Sequence, residues 1–101
     1  MGKIFYGANE TCIEVEDRLL AHIKVVIINK LRRDEKFTLS WVNALGDVPG
    51  RNTIWLHPAI EIRFGFDDPV RPALNREWIE ALMRTANGGE LDISTQLDPP
   101  A

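Results

Sequence analysis

The N-terminal part of the chain alternates apolar and polar side chains in the way a β-strand requires. Ile4 and Tyr6 belong to one short alternating segment, and Ile13 and Val15 belong to a second. Turn-forming residues occupy the positions between them, 7–10. Because a strand places successive side chains on opposite faces, this pattern predicts a β-hairpin.

A stretch of sixteen residues without Gly or Pro follows, over 18–33. Its length favours a helix with Asp17 as the N-cap, although the β-branched run 25–28 is more typical of a strand. At about 100° per residue, the apolar side chains cover roughly 200° of the helix surface, which is wider than one sheet contact requires. We therefore expect burial on two sides. The apolar arc comprises Leu19, Leu20, Ile23, Val26, Ile27, Ile28 and Leu31.

The polar residues of this helix are expected at the rim of the arc and on the opposite face. Lys24 and Lys30 fall inside the arc, where their stems can lie on apolar surface while the ammonium groups reach water. The opposite face is expected to carry Arg18, His22, Asn29, Arg32 and Arg33, with Val25 among them.

Alternation resumes over 37–41 and predicts a third strand. The segment 43–52 contains two Gly, one Pro and one Asp, which favours a loop, and a fourth strand is expected over 53–57. Pro58 has no N–H to donate to a ladder. Either the fourth strand bends at Pro58, or two short strands share the segment that ends at Phe66.

The C-terminal part predicts a second, amphipathic helix. Asn75 is its expected N-cap, the helix runs to about Ala86, and 87–89 ends it as a left-handed C-cap. Leu91 and Ile93 then suit a short edge strand.

The predicted element order is ββαββα. The most economical architecture for it is an α+β two-layer sandwich, with a mainly antiparallel sheet of four to five strands and both helices on one face. We expect a single domain over 1–96 and a frayed C-terminal tail over 97–101.

Composition supports folding and excludes several classes of protein. Leu, Ile, Val and Phe account for 30 of the 101 residues, and the net charge of −3 excludes the uniformly basic surface of a nucleic-acid packaging protein. The single Cys12 permits neither an internal disulfide nor a cysteine zinc site, and no apolar run reaches the ~18 residues of a membrane span. We expect a soluble, cytoplasmic protein that does not contact membranes.

Four segments together resemble a known family. They read K-I-F-Y-G, E-D-R-L-L-A-H-I-K-V-V-I-I-N-K-L-R-R, G-R-N-T-I-W-L-H-P and L-N-R-E-W-I-E-A-L-M. The chain is similar to a family of short actinobacterial proteins without an established activity, some of which carry the label ATP-dependent DNA ligase. The resemblance covers nearly the whole chain and implies no catalytic residues.

The lysines test the ligase label directly. Ligases of this class attach AMP to the lysine of a K-x-D-G motif, a covalent step that needs that amine. The four lysines here are followed by Ile-Phe-Tyr, Val-Val-Ile, Leu-Arg-Arg and Phe-Thr-Leu, so none lies in such a motif.

The largest electrostatic signal is a basic segment, because residues 18–36 hold six basic and two acidic residues, a net charge of +4. Guanidinium groups match phosphate oxygens, so this segment is a candidate for nucleic-acid binding. The alternative is a solvated helix face with cations placed favourably at the helix C-terminus. The candidate nucleic-acid contacts are Arg18, Arg32, Arg33, Arg51 and Trp55.

A second candidate surface lies on the fourth strand. If Ile54 and Leu56 face the helices, Trp55 and His57 lie on the open face, with Arg63 as a neighbour. An aromatic side chain beside cations can stack a nucleic-acid base. The alternatives are that Trp55 packs in a dimer interface or, with the register reversed, in the core, and that His57 satisfies a loop carbonyl.

No constellation of catalytic or metal-ligating residues is recognisable. The two histidines have no partner at helical spacing, and Cys12 suits a small packing residue. We therefore expect a non-enzymatic interaction domain that forms a homodimer or binds another protein, with neither metal nor cofactor. A nucleic-acid-binding accessory domain is the alternative.

Overall fold

The computed structural model describes residues 1–43 and 50–94, which form two helices and six strands in the order ββαβββαβ. The helices are α1 (Asp17–Arg32) and α2 (Arg76–Asn87). The strands are β1 (Gly2–Tyr6), β2 (Thr11–Val15), β3 (Phe37–Asn43), β4 (Gly50–Leu56), β5 (Ile62–Gly65) and β6 (Glu90–Asp92). This content confirms the α+β class and the N-terminal hairpin.

The strands form two sheets of three, where we predicted one sheet of four to five strands. The first sheet has the order β2-β1-β5 and is antiparallel throughout. The second has the order β4-β3-β6, in which β3 pairs antiparallel with β4 and parallel with β6. The predicted order ββαββα omitted β5 and β6. Strand β5 is the second of the two short strands allowed around Pro58, and β6 is the predicted short edge strand, which includes Leu91 but ends before Ile93.

The chain leaves the second sheet at a turn that begins with His57. The Ile60 N–H donates to the His57 carbonyl oxygen, and the Ala59 N–H donates to His57 Nδ1. The Gly7 N–H then binds the Glu61 carbonyl oxygen and draws the following residues onto the edge of β1. Of the two arrangements allowed at Pro58, the chain thus adopts two short strands, and they belong to different sheets.

Tyr6 joins the two sheets by hydrogen bonds. Its hydroxyl donates to the carbonyl oxygen of Trp55 and accepts the N–H of His57 at 3.1 Å. Both partners lie at the end of β4, whereas Tyr6 is the last residue of β1. A single side chain therefore satisfies two backbone groups at the junction.

One core cluster contains residues from both sheets and both helices, among them Ile4, Ile27, Leu39 and Leu82. Helix α1 reaches both sheets. At its start it lies so close to β1 that a Cβ added to Gly2 would sit 2.4 Å from Leu20 Cδ2. This close approach explains why glycine occupies the second position.

The C-terminal end of α1 packs against the second sheet. Lys30 Nζ lies 5.7 Å from the centre of the Phe37 ring and donates to Asn87 Oδ1 at 2.9 Å. Lys30 is buried, with 4% of its surface exposed, so our expectation that its ammonium group reaches water was wrong.

Two further expectations for α1 were wrong. Asp17 is the first helical residue and Glu16 is the N-cap, without a side-chain capping bond. His22, which we placed on the solvent face, is fully buried. The side chains of Asp17 and His22 both accept hydrogen bonds from backbone N–H groups of residues 67–75, as described below. These hydrogen bonds determine where the two side chains lie.

Other predictions for the second half of the chain concern the ends of α2 and β4. The cap of α2 is confirmed, since Asn75 Oδ1 accepts the Glu77 N–H at 3.0 Å. The left-handed glycine after α2 is Gly89, with φ +99°, whereas Gly88 is right-handed. Strand β4 begins at Gly50, so its first residues replace the end of the predicted loop.

The rest of that loop, 44–49, and the predicted frayed tail, 97–101, lie outside the described residues. Within the described part of the chain, neither helix is long and apolar enough to cross a membrane.

We expect Tyr6→Phe to lower the free energy of unfolding by roughly 1 kcal/mol, because it leaves a partly buried carbonyl and a partly buried N–H without their shared partner. Urea unfolding measures the change. Thr38→Val is the matched control, since it also removes a hydroxyl, one that binds the Gly89 carbonyl oxygen at an exposed site. Equal losses for the two variants would contradict the role of Tyr6 at the junction.

Burial raises the pKa of Tyr6 above its ordinary value of about 10. A phenol whose pKa is higher in the folded than in the unfolded state contributes stability that is complete below pH ~10 and is lost as pH rises through the folded value. Because Tyr6 is the only tyrosine of the chain, phenolate absorbance reports it alone. We expect its titration midpoint to fall when urea unfolds the protein, and an unchanged midpoint would contradict this.

Candidate interaction surface

Helix α1 has a second face that the sheets do not cover. Ala21, Lys24, Val25 and Ile28 share this face because their spacing is that of neighbouring helical turns. Val25 is half-buried and Ile28 is exposed. Our prediction that α1 is buried on two sides is therefore confirmed only in part, because its second side faces other residues of the chain but remains open to solvent.

The segment that faces α1 here connects β5 to α2, and we call residues 66–74 the strap. Pro69 and Pro72 fix its backbone at two points. Val70 and Leu74 leave 72% and 53% of their surface exposed, which is high for large apolar side chains.

Between α1 and the strap lies a groove of about 670 Å³. This volume falls within the roughly 300–1,000 Å³ range of ligand-binding clefts. Most of the lining is apolar, with two cations and one carboxylate. The lining residues are Ala21, Lys24, Val25, Ile28, Asn29, Phe66, Asp68, Pro69, Val70, Arg71, Pro72 and Leu74.

Asp17 holds the start of the strap. Its two carboxylate oxygens accept the N–H of Asp67 at 3.4 Å and the N–H of Asp68 at 2.9 Å. The Met1 amino group lies 2.7 Å from Asp67 Oδ2, and this hydrogen bond is the main cause that lowers the pKa of Asp67. The carboxylate that we predicted as a helix cap thus satisfies backbone groups of the strap instead.

His22 and Arg18 hold the end of the strap. His22 Nε2 accepts the Asn75 N–H at 2.8 Å, and Nδ1 lies 2.7 Å from the Arg18 carbonyl oxygen. Since a carbonyl only accepts, Nδ1 carries the proton and the imidazole is neutral. Arg18 Nη1 donates to the Ala73 carbonyl oxygen at 2.8 Å.

Trp78 of α2 packs against these two side chains. The Trp78 ring lies 4.5 Å from the His22 ring, centre to centre, and the Arg18 guanidinium carbon lies 5.9 Å from its centre. The side chains that hold the strap therefore contact α2 as well as belonging to α1. The sequence does indicate that His22 can be buried, because it lies beside Val26 at the edge of the apolar arc. We had assigned His22 to the polar side of the helix.

A second cavity, of about 450 Å³, continues along α1 beyond the groove. Asn29 lines both cavities, and Arg32, Arg33 and Met83 complete the second. Arg33 pairs with Glu35 at 3.1 Å. Arg32 has no ion pair with any residue of 1–43 or 50–94.

The five candidate nucleic-acid contacts are spread over the molecule. Arg18 and Arg32 lie fourteen residues apart in α1, about 21 Å along the helix axis. Arg51 lies on the outer face of the second sheet, where it pairs with Glu90 at 3.3 Å and Asp92 at 3.8 Å. The core separates that face from α1, so these residues do not form one surface.

Trp55 lies on the outer face of the second sheet, as the alternation predicted, with 54% of its surface exposed. Val42 on β3 is similarly exposed. Arg63, the expected neighbour, belongs to the first sheet, where its guanidinium carbon lies 4.0 Å from the centre of the Phe5 ring. His57 accepts a turn N–H through Nδ1, so it stabilises the backbone there.

Two other side chains with reactive groups are Cys12 and Asp92. Cys12 is exposed on β2, and the described residues contain no group of three or more His, Cys, Asp or Glu placed to hold a metal ion. Asp92 accepts hydrogen bonds from both the side chain and the backbone of Ser94, which lower its pKa.

Comparison with known proteins identifies a family without a known function. A family model described as "Domain of unknown function (DUF7882)" matches residues 1–96. Neither the curated proteins nor the solved structures contain a match.

We expect His22→Ala to destabilise the fold by roughly 1–3 kcal/mol, because it removes a fully buried side chain and the acceptor of the partly buried Asn75 N–H. His57→Ala is the matched control, since it removes a half-buried imidazole with one local hydrogen bond. Nitrogen chemical shifts of the native protein should show His22 as the neutral Nδ1–H tautomer. A tautomer protonated at Nε2 would contradict the bond from Asn75.

Proposed function

The chain belongs to the DUF7882 family, and we propose that it is a non-enzymatic interaction domain whose groove binds an amphipathic helical segment of a partner protein. One observation carries the proposal: α1 presents a second, mostly apolar face that, among residues 1–43 and 50–94, only the strap borders. Apolar surface that a fold leaves open is the usual mark of a docking site.

The geometry suits helix-in-groove recognition. In that mode, a partner helix inserts apolar side chains spaced by three and four residues into an apolar trough. Val25 and Ile28 form the floor on α1, and Val70 and Leu74 project from the strap. Because Asp17 and His22 fix both ends of the strap, binding would not need to order this wall first, which lowers the entropic cost.

A second copy of the chain is the other protein partner that we predicted from the sequence. Charge weighs against pairing of groove with groove, since Lys24 and Arg71 line it and a two-fold contact sets like surfaces against each other. A homodimer through another surface, such as the outer face around Trp55, stays a prediction that sedimentation equilibrium tests.

Nucleic-acid binding is less well supported. The candidate arginines are dispersed, and Arg33 and Arg51 pair with carboxylates of the same chain. The ligase label of similar proteins adds nothing, because no lysine lies in a K-x-D-G motif. The single cysteine fits a reducing compartment, and we propose that the domain acts in the cytoplasm.

The test is a selection of displayed random peptides of about 16 residues, or some four helical turns, on the immobilised chain. We expect selected peptides to lose affinity at least about tenfold when Ile28→Glu sets a charge in the groove. Val42→Glu is the matched control, because it adds the same charge to an exposed apolar site of the second sheet. Fluorescence anisotropy measures both variants.

Because Ile28 is partly exposed, its variant should fold, and thermal unfolding verifies this. Selected peptides that bind the Ile28→Glu variant as tightly as the native chain would refute the groove as the site. Failure to select any peptide would do the same. A chain that sediments as a dimer, and that Ile28→Glu makes monomeric, would show that the occupant is a second copy.

A further inference from the structure

We infer that the partner segment carries an acidic side chain two helical turns from its central apolar anchor, and that Arg32 binds this carboxylate. The inference rests on the proposed function and deepens it, because it defines which helical segments the groove selects.

The first step is the continuity of the surface along α1. The groove and the second cavity share Asn29, so a ligand that follows α1 passes from one to the other. In the groove, α1 contributes Lys24 beside the apolar Val25 and Ile28, whereas Arg32 lines the second cavity. The path is therefore mostly apolar in the groove, with two cations and one carboxylate, and two of the four residues that line the second cavity are cations.

The second step is the charge of this path. The two cavities are lined by four cations and one carboxylate, although the whole chain has a net charge of −3. The four cations are Lys24, Arg32, Arg33 and Arg71, and the carboxylate is Asp68. Such a lining attracts acidic segments and repels basic ones, which gives specificity and speeds association.

The third step distinguishes Arg32 from the other cations of α1 and its C-cap; Arg71, which also has no ion pair within the described residues, lies on the strap and lines only the groove. Lys24 Nζ lies 5.7 Å from the centre of the Phe66 ring, and Arg33 is paired with Glu35. Arg32 is exposed and has no ion-pair partner in the described part of the chain. A guanidinium group binds a carboxylate through two parallel hydrogen bonds, so Arg32 can recognise one without breaking an internal contact.

The fourth step fixes the spacing. Val25 and Arg32 are seven residues apart, which is about 10 Å along the helix axis at 1.5 Å per residue. A partner helix that lies along α1 covers the same distance with seven of its own residues. An apolar anchor above Val25 therefore places the acidic residue about two turns away, in the direction of Arg32.

The experiment uses the peptides selected on the full chain. We expect the selected sequences to combine apolar residues at helical spacing with Asp or Glu about seven positions from the central apolar residue. Arg32→Glu should weaken their binding about tenfold. Arg84→Glu is the matched control, since it reverses the charge of an exposed arginine of α2 that lines neither cavity.

A charge-reversal pair completes the test. A peptide whose acidic residue is replaced by Lys should bind the native chain weakly and regain affinity for the Arg32→Glu variant. Peptides that are sensitive to Ile28→Glu but indifferent to Arg32→Glu would overturn this inference and leave the proposed function intact. Peptides that are indifferent to both variants would overturn both.

Discussion

The burial of α1 against two separate sheets is the constraint on which the rest of the fold depends. Neither sheet has more than three strands, and each needs an apolar cover for its inner face. Leu20 supplies contact at β1, and Lys30 reaches Phe37 of β3 at the other end. Because one helix spans both sheets, its orientation is fixed at two distant points. The bonds of Tyr6 close the junction beside it.

The same constraint explains why polar residues of α1 hold the strap. One side of α1 is buried in the core, and the segment between β5 and α2 lies against the first turns of α1 without belonging to either sheet. Its backbone N–H groups still need acceptors. Asp17 and His22 supply them at the two ends, and Arg18 satisfies the Ala73 carbonyl oxygen. The strap is therefore positioned by backbone bonding, and its apolar side chains remain exposed beside the groove.

Local pattern was sufficient to predict the first four strands, both helices and the cap at Asn75, because alternation, helical spacing and capping depend on neighbouring residues. Sheet membership was not predictable in this way. Whether β5 extends β4 or joins β1 depends on the turn at His57 and on its pairing with β1, both set by tertiary contacts. The candidate surface was likewise predictable from the sequence only in part. The wide apolar arc indicated an extra face on α1, but no local signal placed His22 beneath the strap.

The roles of the basic residues of α1 become clear only when the fold is known. Two of its cations are used internally, since Arg18 binds the strap and Lys30 binds Asn87 of α2. The other two, Lys24 and Arg32, line the groove and the second cavity. The four cations of α1 are thus divided between stabilising contacts and a surface. The division leaves a stripe along α1 in which Lys24 and Arg32 lie beside apolar side chains, which is the feature that recognition of an acidic amphipathic helix requires.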